Sequence, residues 1–249
     1  MLILVTGATA GFGAAIARRF VREGHRVIAA GRRQARLDAL VAELGPRVHP
    51  LVLDVRQRDG VAAAIAGLPP EWQAIDVLVN NAGLALGLEP AHQANLDDWD
   101  EMIDTNVKGL AYVTRAVLPG MVARNRGHVV NLGSIAGQFP YPGGNAYGGT
   151  KAFVEQFSLN LRADLLGTAV RVTNVEPGLC GGTEFSNVRF HGDDAKAAKV
   201  YEGTAPLLPD DIAETVWWVT NLPAHVNINM VQMMPVCQAF GPLAVSKKS

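Results

Sequence analysis

The sequence contains very little cysteine and no residue spacing suited to a metal site. Only Cys180 and Cys237 occur in the 249 residues, and they lie far apart, so a disulfide framework is excluded. The six histidines are scattered, and none of them form a pair at the spacing of a zinc site. We therefore expect no metal, and the scarcity of cysteine suits a reducing, cytoplasmic compartment.

Excess charge and long apolar runs are also missing. Lys plus Arg total 22 and Asp plus Glu total 23, so the formal net charge of −1 gives no electrostatic case for a nucleic acid or an anionic membrane as partner. No uninterrupted apolar stretch reaches membrane-spanning length, and the chain runs from Met1 into a glycine motif without a basic leader. We expect a cytoplasmic protein that recognises anions only locally.

The sequence does contain a regular alternation of short apolar runs and longer amphipathic ones. This alternation is typical of strands and crossover helices that build a parallel sheet. Leu2 to Val5 and Val170 to Val172 are apolar on both faces, as expected for strands that helices cover on two sides. Residues 1–249 contain no linker, so they are predicted to form a single α/β domain, a Rossmann-type doubly wound parallel sheet of about seven strands with helices on both faces.

The pattern also predicts where the elements begin and end. Strands are predicted at 2–6, 26–31, 48–54, 75–80, 127–133, 169–175 and 229–234. Helices are predicted at 12–23, 34–44, 57–67, 97–125, 147–166 and 209–221. Residues 178–206 are irregular and glycine-rich, so we expect a mobile loop over the functional site.

A glycine motif follows the first predicted strand and opens the first predicted helix. It consists of Gly7, Ala8, Thr9, Ala10, Gly11, Phe12 and Gly13. Backbone amides and the dipole of a helix N-terminus can hold a pyrophosphate, and glycine lets the phosphates approach. The spacing Gly-x-x-x-Gly-x-Gly could also be a tight turn, but a strand before it and a helix after it favour a dinucleotide site.

The end of the second predicted strand indicates which dinucleotide is bound. An NAD site usually places an acidic residue there, whereas this chain has Arg32 and Arg33. Two guanidinium groups suit a 2′-phosphate through charge-assisted hydrogen bonds, which predicts NADP. The alternative is two solvated arginines at a helix start, where they would oppose the helix dipole.

Two further strand ends are predicted to lie on the same carboxyl edge of the sheet, where ligands bind in open α/β folds. Asp54 and Val55 are candidates for contact with the adenine, and Asn81, Ala82 and Gly83 for the adenosine-side ribose and the cofactor path. Turn chemistry alone would also favour the run from Asn80 to Gly83.

Tyr147 and Lys151 are four residues apart, with Ser134 upstream at a predicted strand end. On a helix, four residues rise by roughly 6 Å and make about one turn, so the phenol and the ammonium would share a face. An adjacent cation favours the phenolate and lowers a phenol pKa toward a useful range for a base. The trio therefore predicts alcohol and carbonyl redox chemistry, the alternative being a surface tyrosine and a solvated lysine.

Together, these residues resemble the short-chain dehydrogenase/reductase family along nearly the whole chain. The matching positions are Gly7, Gly11, Gly13, Asn80, Asn81, Ala82, Gly83, Asn106, Ser134, Tyr147, Lys151, Pro177 and Gly178. The resemblance implies that Tyr147 is the acid and base, and that Lys151 lowers its pKa and holds the nicotinamide ribose. It also implies that Ser134 bonds the substrate oxygen and that Asn106 organises a water in a proton relay.

Three longer stretches are similar to one group within the family, the bacterial NADP-dependent 3-hydroxy acid dehydrogenases. They are residues 84–92, 177–190 and 222–229. This resemblance implies substrates such as serine, allo-threonine and other small 3-hydroxy acids, reduction of malonic semialdehyde, and a homotetramer. The rival interpretations are a 3-oxoacyl or broad-range ketone reductase, and a non-catalytic NADP-binding regulator.

One segment departs from the family pattern. After Pro177 and Gly178, Cys180 takes a position that is commonly aliphatic, and Thr183 lies one residue later than the usual cofactor-binding threonine. Cys180 is interpreted as a small apolar filler whose backbone could still bond the nicotinamide carboxamide. Arg189 is the first candidate for the substrate carboxylate, with the amides of residues 181–183 as the alternative.

Overall fold

The strands form where the short apolar runs occur in the sequence. The computed structural model describes residues 1–241. Its strands are β1 Leu2–Thr6, β2 Arg26–Gly31, β3 Val48–Val52, β4 Val77–Asn80, β5 Gly127–Leu132, β6 Val170–Pro177 and β7 Met230–Met233. The predicted bounds of β1 and β2 are met, while β3 ends two residues earlier than predicted and β6 continues two residues further.

All seven strands belong to one sheet in the order β3-β2-β1-β4-β5-β6-β7, and every neighbouring pair is parallel. The predicted fold class is therefore confirmed. The chain moves outward to one side from β1 to β3 and then to the other from β4 to β7. In such a sheet the ligand cleft lies at the carboxyl ends of the strands, next to the point where the order reverses.

Nine α-helices occur within the described residues. They are α1 Gly11–Arg22, α2 Gln34–Leu44, α3 Arg58–Ala66, α4 Leu96–Ile103, α5 Leu110–Ala123, α6 Asn145–Asp164, α7 Phe185–Arg189, α8 Asp194–Lys199 and α9 Pro209–Thr220. Among residues 1–241, none of the helices is both long and apolar enough to cross a membrane.

Helices cover the sheet on both faces because each central strand is apolar on both sides. In β1, Ile3 and Val5 join a buried cluster with residues of α1, α2 and α9. Leu2 and Leu4 point the other way and join a second cluster with residues of α3, α5 and α6. The alternating directions of side chains along a strand thus divide the core into two layers.

The predicted helix 97–125 is wrong in one respect, since it is three elements rather than one. A π-helical segment, Asp104–Gly109, joins α4 to α5. The wider π turn changes the hydrogen-bond register without interrupting the helical run, so the apolar periodicity in the sequence gives little sign of it. Such turns are frequent at functional sites, and this one contains Asn106.

The predicted loop 178–206 is also more regular than expected, because it contains the two short helices α7 and α8. The glycines that predicted irregularity lie between and around these helices. Gly182, Gly192 and Gly203 all have positive φ angles. The mobility of this segment stays a prediction.

Candidate active site

A cleft of about 1280 Å³ opens at the carboxyl ends of the strands, and most of the predicted site residues line it. The lining residues that the sequence predicted are Gly7, Thr9, Ala10, Gly11, Phe12, Arg32, Arg33, Asp54, Val55, Asn81, Ala82, Gly83, Ser134, Tyr147, Lys151, Pro177, Gly178, Cys180, Thr183 and Arg189. Ala8, Gly13 and Asn106 lie behind this surface. The cleft therefore brings the predicted cofactor and catalytic positions into one space.

The turn between β1 and α1 forms one end of the cleft. Gly7 and Gly11 have φ angles of 67° and 48°, a backbone region that glycine adopts at no steric cost. Ala8 is fully buried and its amide donates to the carbonyl of Ala30 at 3.0 Å, so Ala8 joins the turn to β2 and does not face the cleft. Ala8 therefore has a structural role in the turn, and its contact with the cofactor stays a prediction.

Gly13 has no room for a side chain. A Cβ atom there would lie 2.6 Å from Nδ2 of Asn81 and closer still to the carbonyl oxygen of Gly7. Asn81 in turn donates from Nδ2 to the carbonyls of Thr6 at 2.9 Å and Gly7 at 3.2 Å. The third glycine of the motif thus allows α1 to pack closely against the turn that Asn81 fixes.

We expect Gly13→Ala to lower the free energy of unfolding by about 1–3 kcal/mol, because the backbone oxygen it would strike cannot move aside as a flexible side chain could. Denaturation by urea measures this loss. Gly149→Ala is the matched control, since a Cβ at that exposed helical position meets nothing within 4 Å. An unfolding midpoint for Gly13→Ala equal to that of the control would contradict the close packing.

Arg32 and Arg33 line the cleft near the glycine turn. Arg33 donates to Oγ1 of Thr9 at 3.1 Å and to Oε2 of Glu184 at 3.2 Å. Arg32 is 56% exposed, and its nearest acidic oxygen, Oε1 of Glu101, lies 3.9 Å away. Both guanidinium groups therefore keep donors available for an anion in the cleft.

Asp54 and Val55 line the same end. The Asp54 carboxylate accepts hydrogen bonds from the guanidinium of Arg56, the shortest being 2.7 Å, and these bonds hold the pKa of Asp54 below its ordinary value. Its charge is therefore satisfied within the protein. Val55 packs against Gly109 of the π segment, where an added Cβ would lie 2.6 Å from its side chain.

Ser134, Tyr147 and Lys151 converge in the middle of the cleft. Ser134 caps the 3-10 helix Ile135–Gly137, where its Oγ accepts from the amide of Ala136 at 3.1 Å. Tyr147 and Lys151 lie on the same face of α6, each 8% exposed, and the Lys151 ammonium stands 5.8 Å from the centre of the Tyr147 ring. Gly137 lets the two elements meet, because a Cβ there would lie 2.8 Å from the backbone of Lys151.

The pKa values differ from the sequence prediction. Burial raises the pKa of Tyr147 to about 12, although the Ser134 hydroxyl and the Arg189 charge act to lower it. Burial also lowers the pKa of Lys151 to about 8. Among the described residues Lys151 is not one of the groups that shift the pKa of Tyr147, and its ammonium donates instead to the carbonyl of Leu132 at 2.8 Å.

Asn106 is buried behind this group. Its Oδ1 accepts from the amide of Leu84 at 2.9 Å, and its Nδ2 donates to the Leu84 carbonyl at 2.8 Å and to Oγ1 of Thr150 at 3.0 Å. Thr150 lies on α6 between Tyr147 and Lys151. Asn106 therefore connects the π segment to the helix that carries the catalytic candidates.

Arg189, at the end of α7, reaches Tyr147 from the opposite wall. Its guanidinium carbon lies 5.4 Å from the centre of the Tyr147 ring, and Nη2 donates to the hydroxyl of Tyr141 at 2.5 Å. Among the described residues its buried Nε has no hydrogen-bond partner. An unpaired buried donor is costly, and a ligand that accepted a hydrogen bond from this atom would relieve that cost.

Pro177 ends β6, and the chain continues along the cleft through Gly178, Cys180 and Thr183. Burial raises the pKa of the Cys180 thiol to about 12, which agrees with an apolar filler and opposes a thiolate nucleophile. The Thr183 side chain lies against the glycine turn, 3.2 Å from where a Cβ on Gly11 would be. Thr183 therefore reaches the glycine turn despite its shifted position in sequence, and its contact with the cofactor stays a prediction.

Several lining residues were not predicted as site residues. The segment from Met234 to Gly241 borders the cleft, and Oε1 of Gln238 accepts from the amide of Leu179 at 2.7 Å. Glu176 lies on β6 outside the lining of the cleft and is fully buried; burial raises its pKa to about 7, and it accepts from Nε2 of Gln138 at 3.1 Å. Nothing in the sequence near Glu176 or Gln238 indicated either contact.

These features fit a dinucleotide. The glycine turn provides an open backbone at one end, and Arg32 and Arg33 provide unsatisfied donors beside it. At the other end, within residues 1–241, the Lys151 ammonium has one hydrogen-bond partner for its three donors. Donors remain available at both ends of a long cleft, as an extended anionic molecule with sugar hydroxyls requires.

A Rossmann-type sheet with a serine, a tyrosine and a lysine at its carboxyl edge defines a class of dehydrogenase. The profile of the short chain dehydrogenase family matches residues 1–193, and the protein belongs to that family. The family predicted from the motifs is thereby confirmed.

Similarity to individual proteins narrows the class further than the family does. The chain is 68% identical over 247 residues to the NADP-dependent 3-hydroxy acid dehydrogenase YdfG of Salmonella typhi, with 99% of this chain and 100% of that protein covered. It is 52% identical to the serine 3-dehydrogenase of Agrobacterium fabrum, with 99% and 98% covered. The solved closed form of a serine dehydrogenase complexed with NADP+ is 64% identical, has a TM-score of 0.99 and covers both chains fully.

Proposed function

We propose that the protein is an NADP-dependent dehydrogenase that transfers hydride between the nicotinamide and the hydroxyl-bearing carbon of small 3-hydroxy acids, serine foremost. The observation that carries the proposal is the Arg189 guanidinium 5.4 Å from the ring of Tyr147. A short acid can contact both groups at once, its carboxylate at the cation and its hydroxyl at the phenol. The relatives, whose names specify NADP, 3-hydroxy acids and serine, support the same assignment.

The cofactor contacts follow from the donors along the cleft. Arg32 and Arg33 would hold the 2′-phosphate, the amides of the glycine turn the pyrophosphate, and Lys151 the nicotinamide ribose. When bound, the cofactor supplies the hydride donor or acceptor and, when oxidised, a positive charge that favours the phenolate. Lys151 remains mainly an ammonium at neutral pH, because its lowered pKa of about 8 still lies above that pH.

Tyr147 is the proposed proton carrier. In oxidation its phenolate oxygen accepts the proton of the substrate hydroxyl, and in reduction its phenol returns a proton to the carbonyl oxygen. Ser134 donates a hydrogen bond to that same oxygen, on which charge develops. The role of Asn106 in a water relay stays a prediction, because both polar atoms of its side chain are already bonded to Leu84 and Thr150.

Arg189→Ala should raise the KM for 3-hydroxypropionate about ten-fold or more, because the carboxylate loses a charge-assisted partner. Initial rates with saturating NADP+ measure this. The uncharged methyl ester of 3-hydroxypropionate is the matched control, since it keeps the reacting hydroxyl and loses the anionic charge. If the variant raised the KM of acid and ester equally, Arg189 would be shaping the pocket rather than binding the carboxylate.

A substrate panel tests the function as a whole. We expect NADP+ to be reduced with L-serine, L-allo-threonine and 3-hydroxypropionate, and NADPH to be oxidised with malonic semialdehyde. Higher kcat/KM with acetoacetyl thioester or neutral ketones would instead favour a 3-oxoacyl or broad-range ketone reductase. Binding of NADP+ without turnover of any member would favour a regulator.

We further propose malonic semialdehyde reduction, a cytoplasmic location, and a homotetramer in which each chain is one domain. Loss of hydride and a proton from 3-hydroxypropionate yields malonic semialdehyde, so the same site serves both directions. Cys180 and Cys237 are both free thiols, which suits a reducing compartment. Exposed apolar residues on or beside α5 and α6, namely Val122, Leu159 and Leu166, offer surface for further subunits, and light scattering measures the assembly.

A further inference from the structure

The segment 183–191 crosses the cleft and is held on both walls. At one end Glu184 meets arginines of the β2 to α2 region. At the other end the Arg189 carbonyl accepts from the amide of Gly87 at 3.0 Å, and Nε2 of His191 lies 3.1 Å from Oδ2 of Asp98. The helix α7 between these ends therefore spans from the adenosine side to the substrate side.

Glu184 makes a bridge between two arginines. Its Oε1 lies 2.7 Å from Nη1 of Arg36, and its Oε2 accepts from Nη1 of Arg33 at 3.2 Å. The hydrogen bond from Arg36 is the largest cause that holds the pKa of Glu184 below its ordinary value, followed among the arginines by that from Arg33. The carboxylate is therefore ionised at neutral pH and fixes the start of α7 to the start of α2.

The next residues of the segment contact the catalytic tyrosine. The Phe185 ring packs edge-on against the Tyr147 ring, with centres 5.8 Å apart, and Arg189 lies over both rings. A shift of α7 away from α2 would separate these rings and move the guanidinium that is proposed to bind the substrate carboxylate. The ion pairs at Glu184 thus act at a distance from the reacting atoms.

We infer that Glu184 is a positioning residue for the substrate: its bridge to Arg33 and Arg36 holds α7 so that Phe185 and Arg189 stay against Tyr147. The inference rests on the proposed function, because it assigns the substrate-binding role to Arg189. Glu184 itself touches neither the phenol nor the hydroxyl that reacts.

A cofactor-supporting role would give a different result. Glu184 places a negative charge beside the arginines proposed for the 2′-phosphate, so its removal is not expected to weaken NADP binding through charge. Positioning of α7 predicts a higher substrate KM with little change in the Kd for NADP+. If Glu184 acted only by supporting these arginines, its loss should raise the Kd for NADP+ and leave the substrate KM little changed.

The test uses Glu184→Gln, Arg36→Ala and the double variant of the intact enzyme. Each single variant should raise the KM for L-serine about three- to six-fold, as expected for a partly exposed ion pair, and change the Kd for NADP+ by less than two-fold. Because Arg36→Ala removes one of the two ion pairs that Glu184→Gln removes, the double variant should match Glu184→Gln. Glu214→Gln is the control, since Glu214 also pairs with two arginines, Arg19 and Arg22, on a surface away from the cleft.

Amide hydrogen exchange provides a readout that needs no turnover. With NADP+ bound, peptides covering residues 183–191 should exchange faster in Glu184→Gln and Arg36→Ala than in the wild type and the control. Unchanged exchange together with an unchanged serine KM would overturn the inference, as would a Kd for NADP+ that rises as much as the KM. If the wild type oxidised no hydroxy acid while residues 183–191 still exchanged faster in the two variants, the proposed function would fail. The positioning of α7 by Glu184 would then still be supported.

Discussion

Tyr147→Phe should lower kcat for serine oxidation by about 10² to 10⁴-fold, the contribution usual for a positioned proton carrier, while the Kd for NADP+ stays within about two-fold. The substitution removes only the hydroxyl. The ring keeps its packing against Phe185 and its place beneath Arg189. Initial rates and titration of NADPH fluorescence measure the two quantities.

Tyr112→Phe is the control for this prediction, because Tyr112 lies on α5 and packs against the core outside the cleft. It should leave both kcat and the Kd near the wild-type values. Turnover by Tyr147→Phe within ten-fold of the wild type would mean that another group carries the proton. The pH profile would then identify it, since that group would have its own pKa.

Reversing the charge of both Arg32 and Arg33 to glutamate should raise the Kd for NADP+ by about 10² to 10⁴-fold, because two charge-assisted hydrogen bonds to the phosphate are lost and repulsion replaces them. The Kd for NAD+ should change far less, since NAD+ has no 2′-phosphate. Binding of each dinucleotide is measured directly, because Arg33 also meets Glu184 and a change in the serine KM would mix two effects.

Two comparisons sharpen this experiment. Arg32→Glu alone leaves the contact between Arg33 and Glu184 in place. Its effect on the Kd for NADP+ therefore reports the contact of Arg32 with the 2′-phosphate and no disturbance of Glu184. Reversal of Arg18 and Arg22 on α1 changes the net charge equally on a surface away from the cleft, where both arginines pair with glutamates. An unchanged ratio of NADP+ to NAD+ affinity in the Arg32 and Arg33 variant would refute the assignment of the phosphate site.

The sequence predicted the sheet well because a buried parallel strand is apolar on both faces. β1 and β2 have the predicted bounds, and the glycine turn between β1 and α1 lies where the motif placed it. Tyr147 and Lys151 share a face of α6 because their spacing matches a helical turn. Patterns of this kind can be predicted from the sequence because each depends on only a few neighbouring residues.

What the sequence did not predict depends on contacts between distant residues. The π turn at Asn106 is compatible with the same apolar periodicity as an α-helix, so the predicted helix 97–125 contained no visible break. The raised pKa of Tyr147 depends on how completely the fold buries it. Gln238 at the cleft and the bridge from Glu184 to Arg33 join residues that are far apart in the chain.

The short helix α7 also determines how the substrate range of this protein can be changed. Its five residues separate Glu184 from Arg189 by a rise of roughly 7.5 Å, and both ends are anchored to opposite walls. An insertion or deletion would rotate one anchor out of place by about 100°, so loop grafting at this position should be poorly tolerated. Engineering for longer or bulkier acids should therefore keep the length of α7 and vary the side chains that it presents, with Val188 as the first position to diversify.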